Sequence, residues 1–175
     1  MFQRIRRLYS RRPEPFPDLQ LVSLNPIGVV RSRVKETGDS CDWRDIECRI
    51  VIRPDLTDAL LGLDTYSHIV VLFWPHQVTE EVRGSKPRLH PRDDPQNPLQ
   101  GVLATRAQIR FNPILTTTVP LLGVKKNVLN VRGLDAIDGT PVLDVKPYIP
   151  YFDSIPEAKV PAWISRSNQR PTRSS

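Results

Sequence analysis

Cysteine is nearly absent. Cys41 and Cys48 are the only two, too few for a disulfide framework, and their separation is not that of a zinc site. Three histidines add little to a metal-ligand set. The spacing therefore nominates no metal. Eight glycines are few, and none of them builds a G-x-G-x-x-G or a Walker loop. That excludes the usual nucleotide-binding α/β motifs. A G-x-S-x-G elbow is missing too, which removes the α/β-hydrolase nucleophile. No stretch approaches 18 consecutive apolar residues, so no membrane-spanning helix is expected. The arginine-rich N-terminus lacks the apolar run of a secretory signal. A reducing cytoplasm is the default expectation.

Proline is abundant instead, at 18 of 175 residues. That is about twice the usual ~5% and leaves little room for long helices. With 39% apolar and 25% charged residues the chain has the make-up of an ordinary globular domain. Its length fits one domain rather than two. The net charge of +6 is confined to the ends. Residues 1–20 carry five arginines against Glu14 and Asp18, and residues 164–175 carry three arginines and no acid. Between them, residues 21–163 hold 17 bases and 17 acids. The expected organisation is a basic arm over 1–20, a neutral domain over 21–163 and a basic tail over 164–175. Basic arms suit an anionic partner such as RNA, or simply solubilise the chain.

The interior reads as short strands. Ile27 to Val30 is β-rich. Residues 46–52 alternate, with Ile46, Cys48, Ile50 and Ile52 on one face, so Cys48 is expected to be a small core residue. Asp55 is placed to cap a short helix over Leu56 to Leu61, stopped by Gly62. Tyr66 to Trp74 is an almost unbroken apolar run and the best candidate for a central strand. Residues 78–100, rich in proline and charge, read as a long loop of the kind that is functional or disordered. Strand character returns at Gly101 to Arg106, at Thr116 to Leu122, at Asn127 to Arg132 and after the Asp138-Gly139 turn. The expected fold is all-β: a single small β-barrel with long loops and one short helix.

Three polar clusters interrupt this pattern. They are His76-Gln77; Ala104-Thr105-Arg106 with Arg110 and Asn112 close behind; and Asp135 followed by Asp138-Gly139-Thr140-Pro141 and Asp144-Val145-Lys146-Pro147-Tyr148. Each alone has an ordinary structural reading. His76 and Gln77 suit a solvated loop, Asp138-Gly139 a hairpin turn, and Asp144 with Lys146 an ion pair on one strand face.

Taken in order, these strings resemble the TsaA-like family, also called TrmO or YaeB. The resemblance rests on Ile27 to Ser32, Leu61 to His68, Leu72 to Gln77, Gly101 to Arg106, Arg110 to Ile114 and Leu134 to Tyr148. It covers about residues 26–153 and leaves out the C-terminal domain of the longer bacterial members. It implies a dimeric all-β barrel and S-adenosylmethionine as cofactor. The implied activity is N-methylation of threonylcarbamoyl-adenosine in the tRNA anticodon loop. Cofactor contacts carry over to His76, Gln77, Arg106, Thr116, Asp138, Gly139, Thr140 and Pro141. A cationic Arg106 suits the cofactor's carboxylate. Arg110 and Asn112, with Lys146 behind them, are candidates for positioning the acceptor. The chain departs from the family's usual string at Ala107 (serine), Gln108 and Phe111 (proline) and Leu115 (glycine). A usual early-loop contact has no counterpart between Lys35 and Trp43. These departures leave two alternatives: a methyltransferase of this fold with another nucleoside or small-molecule acceptor, or a barrel that binds nucleotide or RNA without catalysis.

Overall fold

The computed structural model describes residues 14–36 and 42–167. Most of the basic arm, the end of the basic tail and Cys41 lie outside the described residues.

Six antiparallel strands close into a barrel in the order β1-β2-β7-β6-β3-β8. They are β1 (Gly28–Arg31), β2 (Glu47–Ile52), β3 (His68–Phe73), β6 (Leu115–Lys125), β7 (Val128–Arg132) and β8 (Pro141–Pro147). A two-residue pair, β4 (Arg88–Leu89) with β5 (Gln100–Gly101), stands apart. Period-two alternation decides what fills the barrel. Val30, Ile50, Ile52, Ile69, Val71, Leu129 and Val142 point inward and are buried. Cys48 joins them, and burial pushes its thiol up to about 11, so it stays protonated at neutral pH. The β1–β2 contact is tight at Gly28. A Cβ there would lie 2.7 Å from the Val51 carbonyl oxygen, so the barrel closes around an absent side chain.

Several expectations change in detail. The central run is strand β3, but it alternates, with Val70 and Leu72 half-exposed between buried neighbours. Helical turns are more numerous than the one expected. Short 3-10 segments occupy Trp43–Asp45, Pro54–Leu60, Leu63–Thr65, Pro91–Asp93 and Val102–Ala104, and short α-helices occupy Pro150–Asp153 and Ala162–Ser167. Proline opens three of the seven, where its missing N–H costs nothing. Asp55 is not a cap. It sits in the first turn, its carboxylate 2.6 Å from Arg53 Nη2.

The Gly101 to Arg106 stretch is mostly 3-10 turn rather than strand, so Arg106 emerges from a loop. The 78–100 segment is folded. It carries the β4–β5 pair, and Arg83 stacks 4.7 Å over the Trp74 ring at the end of β3. The Asp138-Gly139 turn joins no hairpin. β7 and β8 are not neighbours, and the chain crosses the barrel mouth between them.

Candidate functional site at the barrel mouth

The turn over Ile137 to Thr140 is built by its glycine. The Thr140 amide bonds the Ile137 carbonyl at 3.2 Å, and Gly139 has φ +81°. Such a turn requires a left-handed residue at its third position. The turn is zipped to β1 by Gly139 N–H to the Val30 carbonyl (2.9 Å) and Val30 N–H to the Thr140 carbonyl (2.9 Å). Gly139 also faces the His76 ring: a Cβ on it would lie 3.8 Å from Nε2.

Two adjoining cavities open at this mouth. The larger, about 660 Å³, is walled by Thr105, Arg106, Arg110 and residues 114–118 of β6 and its approach. The smaller, about 220 Å³, is walled by His76, Gln77, Ile137 and Thr140. Phe73, Gln108, Leu115 and Asp135 line both, so the two adjoin along a shared wall and together make up the cleft. Arg106 is anchored in it. Its Nη2 donates to the Thr116 carbonyl at 2.6 Å and to the Thr116 hydroxyl at 2.9 Å. Arg110 holds the preceding turn, with Nη1 donating to the Thr105 carbonyl at 2.7 Å. Asp135 accepts the Thr117 hydroxyl proton. The cleft thus presents a guanidinium, a carboxylate and an aromatic floor.

The nominated residues divide. Arg106, Thr116 and Arg110 share the larger cavity; His76, Gln77 and Thr140 share the smaller, with Gly139 against His76. Pro141 and Asn112 line a separate cavity beside Trp74 and Leu143. Lys146 lies on the outer face of β8, 2.6 Å from Asp144, and lines none of these cavities. An irregularity at Leu72/Phe73 lets Val142 and Val145 both pair with inward residues, which leaves Asp144 and Lys146 facing out. Asp138 turns away from the cleft. Its carboxylate accepts from Lys35 Nζ at 2.7 Å and from the Ser32 N–H at 2.9 Å.

Gln108 and Leu115 entered the sequence reading only as departures from a pattern, and Asp135 without a role. Nothing local marks them, because their placement depends on β6, on the 134–137 crossing and on barrel closure.

Asp138 gives a pH prediction. The Lys35 hydrogen bond, then the Ser32 amide, then the Lys35 and Arg31 charges hold its carboxyl below the ordinary range. A lowered folded-state value adds stability that is complete above the unfolded value of about 3.9 and is lost as pH falls through the folded value. Asp138→Asn should therefore be less stable than the parent at pH 7. The gap should narrow below about pH 4 in paired urea melts. A gap that stays constant into acid would assign the loss to something other than the charge.

The class these features define is a closed antiparallel β-barrel with a mixed charged and apolar cleft at its mouth. Comparison with known proteins narrows this. The tRNA-methyltransferase O N-terminal domain matches residues 32–154, and the chain belongs to that family. A probable S-adenosyl-L-methionine-binding protein of Methanothermobacter thermautotrophicus is 40% identical over 137 residues, 77% of this chain and 95% of that one. The tRNA (adenine(37)-N6)-methyltransferase of Escherichia coli is 36% identical over 142 residues, 75% of this chain and 60% of that one. The crystal structure of TrmO from P. aeruginosa superimposes with a TM-score of 0.66 at 32% identity, over 83% of this chain and 63% of that one. The chain thus spans about three fifths of the two methyltransferases. Among the described residues no helix is long and apolar enough to cross a membrane, and no three His, Cys, Asp or Glu side chains group to hold a metal ion.

Proposed function

We propose that the protein is an S-adenosylmethionine-dependent methyltransferase. Its acceptor is the exocyclic nitrogen of threonylcarbamoyl-adenosine beside the tRNA anticodon. The observation that carries this is the convergence of Arg106, the His76-Gln77 pair and the Gly139-Thr140 turn on one cleft.

The residues fit the cofactor's chemistry. Arg106 is the cation for its carboxylate, with Thr116 fixing the guanidinium so that little rotamer freedom remains to be lost. Asp135 and the turn backbone suit hydroxyl and amine donors. Phe73 and Leu115 supply apolar wall. The joined cavities fall within the ~300–1,000 Å³ usual for ligand sites. When bound, the cofactor supplies an electrophilic methyl group. The chain's part is to orient donor and acceptor and to exclude water. Arg110 acts as a positioning residue through the Thr105 carbonyl, since it holds the turn that presents Arg106. Thr105, Arg106 and Gln108 also wall a further cavity of about 840 Å³ beneath the 78–100 segment, which offers room for the acceptor nucleoside.

Two finer points belong to the same reading. The protein works in the cytoplasm, where tRNA is. It works as a homodimer: Leu21, Tyr151, Phe152 and Ile155 leave 70–93% of their surface exposed, and the last three fall on one short segment, apolar surface that a second copy would cover. One observation favours a second acceptor. Leu115 stands where the family usually has glycine, and it faces both parts of the cleft, so the space beside the donor is altered.

Calorimetric titration with S-adenosylmethionine tests the donor; absence of both heat and thermal shift rejects a methyltransferase. Mass spectrometry of tRNA nucleosides from cells lacking the gene tests the acceptor. Binding without loss of the methylated nucleoside keeps the donor and moves the acceptor elsewhere.

A further inference from the structure

The neutral middle of the chain hides a local imbalance. On the outer barrel wall Arg31 of β1 lies directly opposite Arg49 of β2, and Arg49 lies opposite Asn130 of β7. Directly opposed residues of an antiparallel pair share a face, and like charges so placed repel. Both arginines are exposed, and Arg33 follows two residues on.

The acids nearby are engaged with other bases. Glu47 takes Arg132 at 3.1 Å, and Asp138 takes Lys35 at 2.7 Å. Among the described residues neither Arg31 nor Arg49 forms a salt bridge within 4 Å, although the Arg31 charge also acts on the Asp138 carboxylate. The three arginines line a cleft of about 530 Å³. Its wall includes Asp138, whose neighbour Gly139 faces His76 on the methyl-transfer side. One turn therefore separates the basic cleft from the proposed donor cleft.

We propose that this cleft docks the tRNA sugar-phosphate backbone, with Arg31 and Arg49 gripping phosphates next to the nucleotide being modified. The proposal rests on the RNA reading above and adds the surface that reading leaves open. A cross-strand arginine pair is repulsive alone and becomes favourable when an anion lies between the guanidiniums. Its place beside the turn would let a held backbone deliver the next base around the barrel rim. Phosphate contacts of this kind set affinity and register without reading sequence.

The test compares the parent with Arg31→Ala/Arg49→Ala by fluorescence anisotropy of labelled tRNA across a potassium chloride series. The expected result is affinity weaker by about tenfold or more, with the log–log salt slope shallower by about 1.4 to 1.8 for two lost phosphates. Calorimetry should show unchanged affinity for S-adenosylmethionine. The melting temperature should hold or rise, because the substitution removes a repulsion.

Unchanged tRNA affinity and slope overturn the proposal and leave the methyltransferase reading intact. Loss of cofactor affinity in the variant also overturns it, since the effect would then pass through the fold. A parent that binds cofactor but no tRNA rejects this surface and the RNA acceptor together.

Discussion

Arg106→Ala is expected to weaken S-adenosylmethionine binding by about 10- to 100-fold, the worth of a charge-assisted hydrogen bond of about 1.5–3 kcal/mol. The fold should survive, because Arg106 is exposed and its partners, the carbonyl and hydroxyl of Thr116, can turn to water. Arg106→Lys separates two roles of the side chain. A lysine keeps the charge but not the planar fork that can bond Thr116 and a carboxylate together. It should recover only part of the affinity. S-adenosylhomocysteine sharpens the result. It keeps the carboxylate and loses the sulfonium, so Arg106→Ala should weaken both ligands by a similar factor. If calorimetry shows the parent and Arg106→Ala binding S-adenosylmethionine equally, the carboxylate sits elsewhere and the assignment of this cleft fails.

How much of this could be read before the fold was known depends on the range of each signal. The alternation over 46–52 is local, and it placed Cys48, Ile50 and Ile52 in the barrel. The strings around Arg106 and Asp138 are also local, and they carried the family resemblance. What escaped was set by closure. Asp138-Gly139 looks like a hairpin turn, yet the chain leaves β7 and re-enters at β8 beside β1 and β3. That places Gly139 and Thr140 toward His76 and the cleft but turns the Asp138 carboxylate toward Lys35, on the other side of the turn. A four-residue string cannot say which of its members faces which cavity. Sequence proximity does not fix the cavity at Asn112 either. It lies two residues from Arg110, yet it lines a different cavity, one walled also by Trp74 and Pro141. Asp135 carried no motif of its own. Its place in the cleft is fixed by a hydrogen bond from Thr117, 18 positions away.

The second large effect is expected at Phe73, where stability and site meet. Its ring is 2% exposed, at the end of β3 between Leu115 of β6 and Val142 of β8. The same ring floors both parts of the cleft. Truncating a buried phenylalanine to alanine costs about 3–5 kcal/mol, because transfer energy is lost and a cavity remains. Against a typical total of about 5–15 kcal/mol, Phe73→Ala should sit near the edge of folding. At about 2–4 °C per kcal/mol for a chain of this size, the melting temperature should fall by roughly 6–20 °C.

Phe73→Leu keeps an apolar side chain and should cost less, on the order of 1–2 kcal/mol. It leaves a void beneath the cleft, so cofactor affinity should drop while the barrel remains folded. The two variants together separate packing from binding. If Phe73→Leu melts lower but binds cofactor as the parent does, the ring is only barrel filling and the donor lies away from it. If affinity falls further than the melting shift accounts for, the ring is the surface on which the donor rests. The barrel then ends where the site begins, at a single residue whose inward position follows from the period of two that also buries Ile69 and Val71.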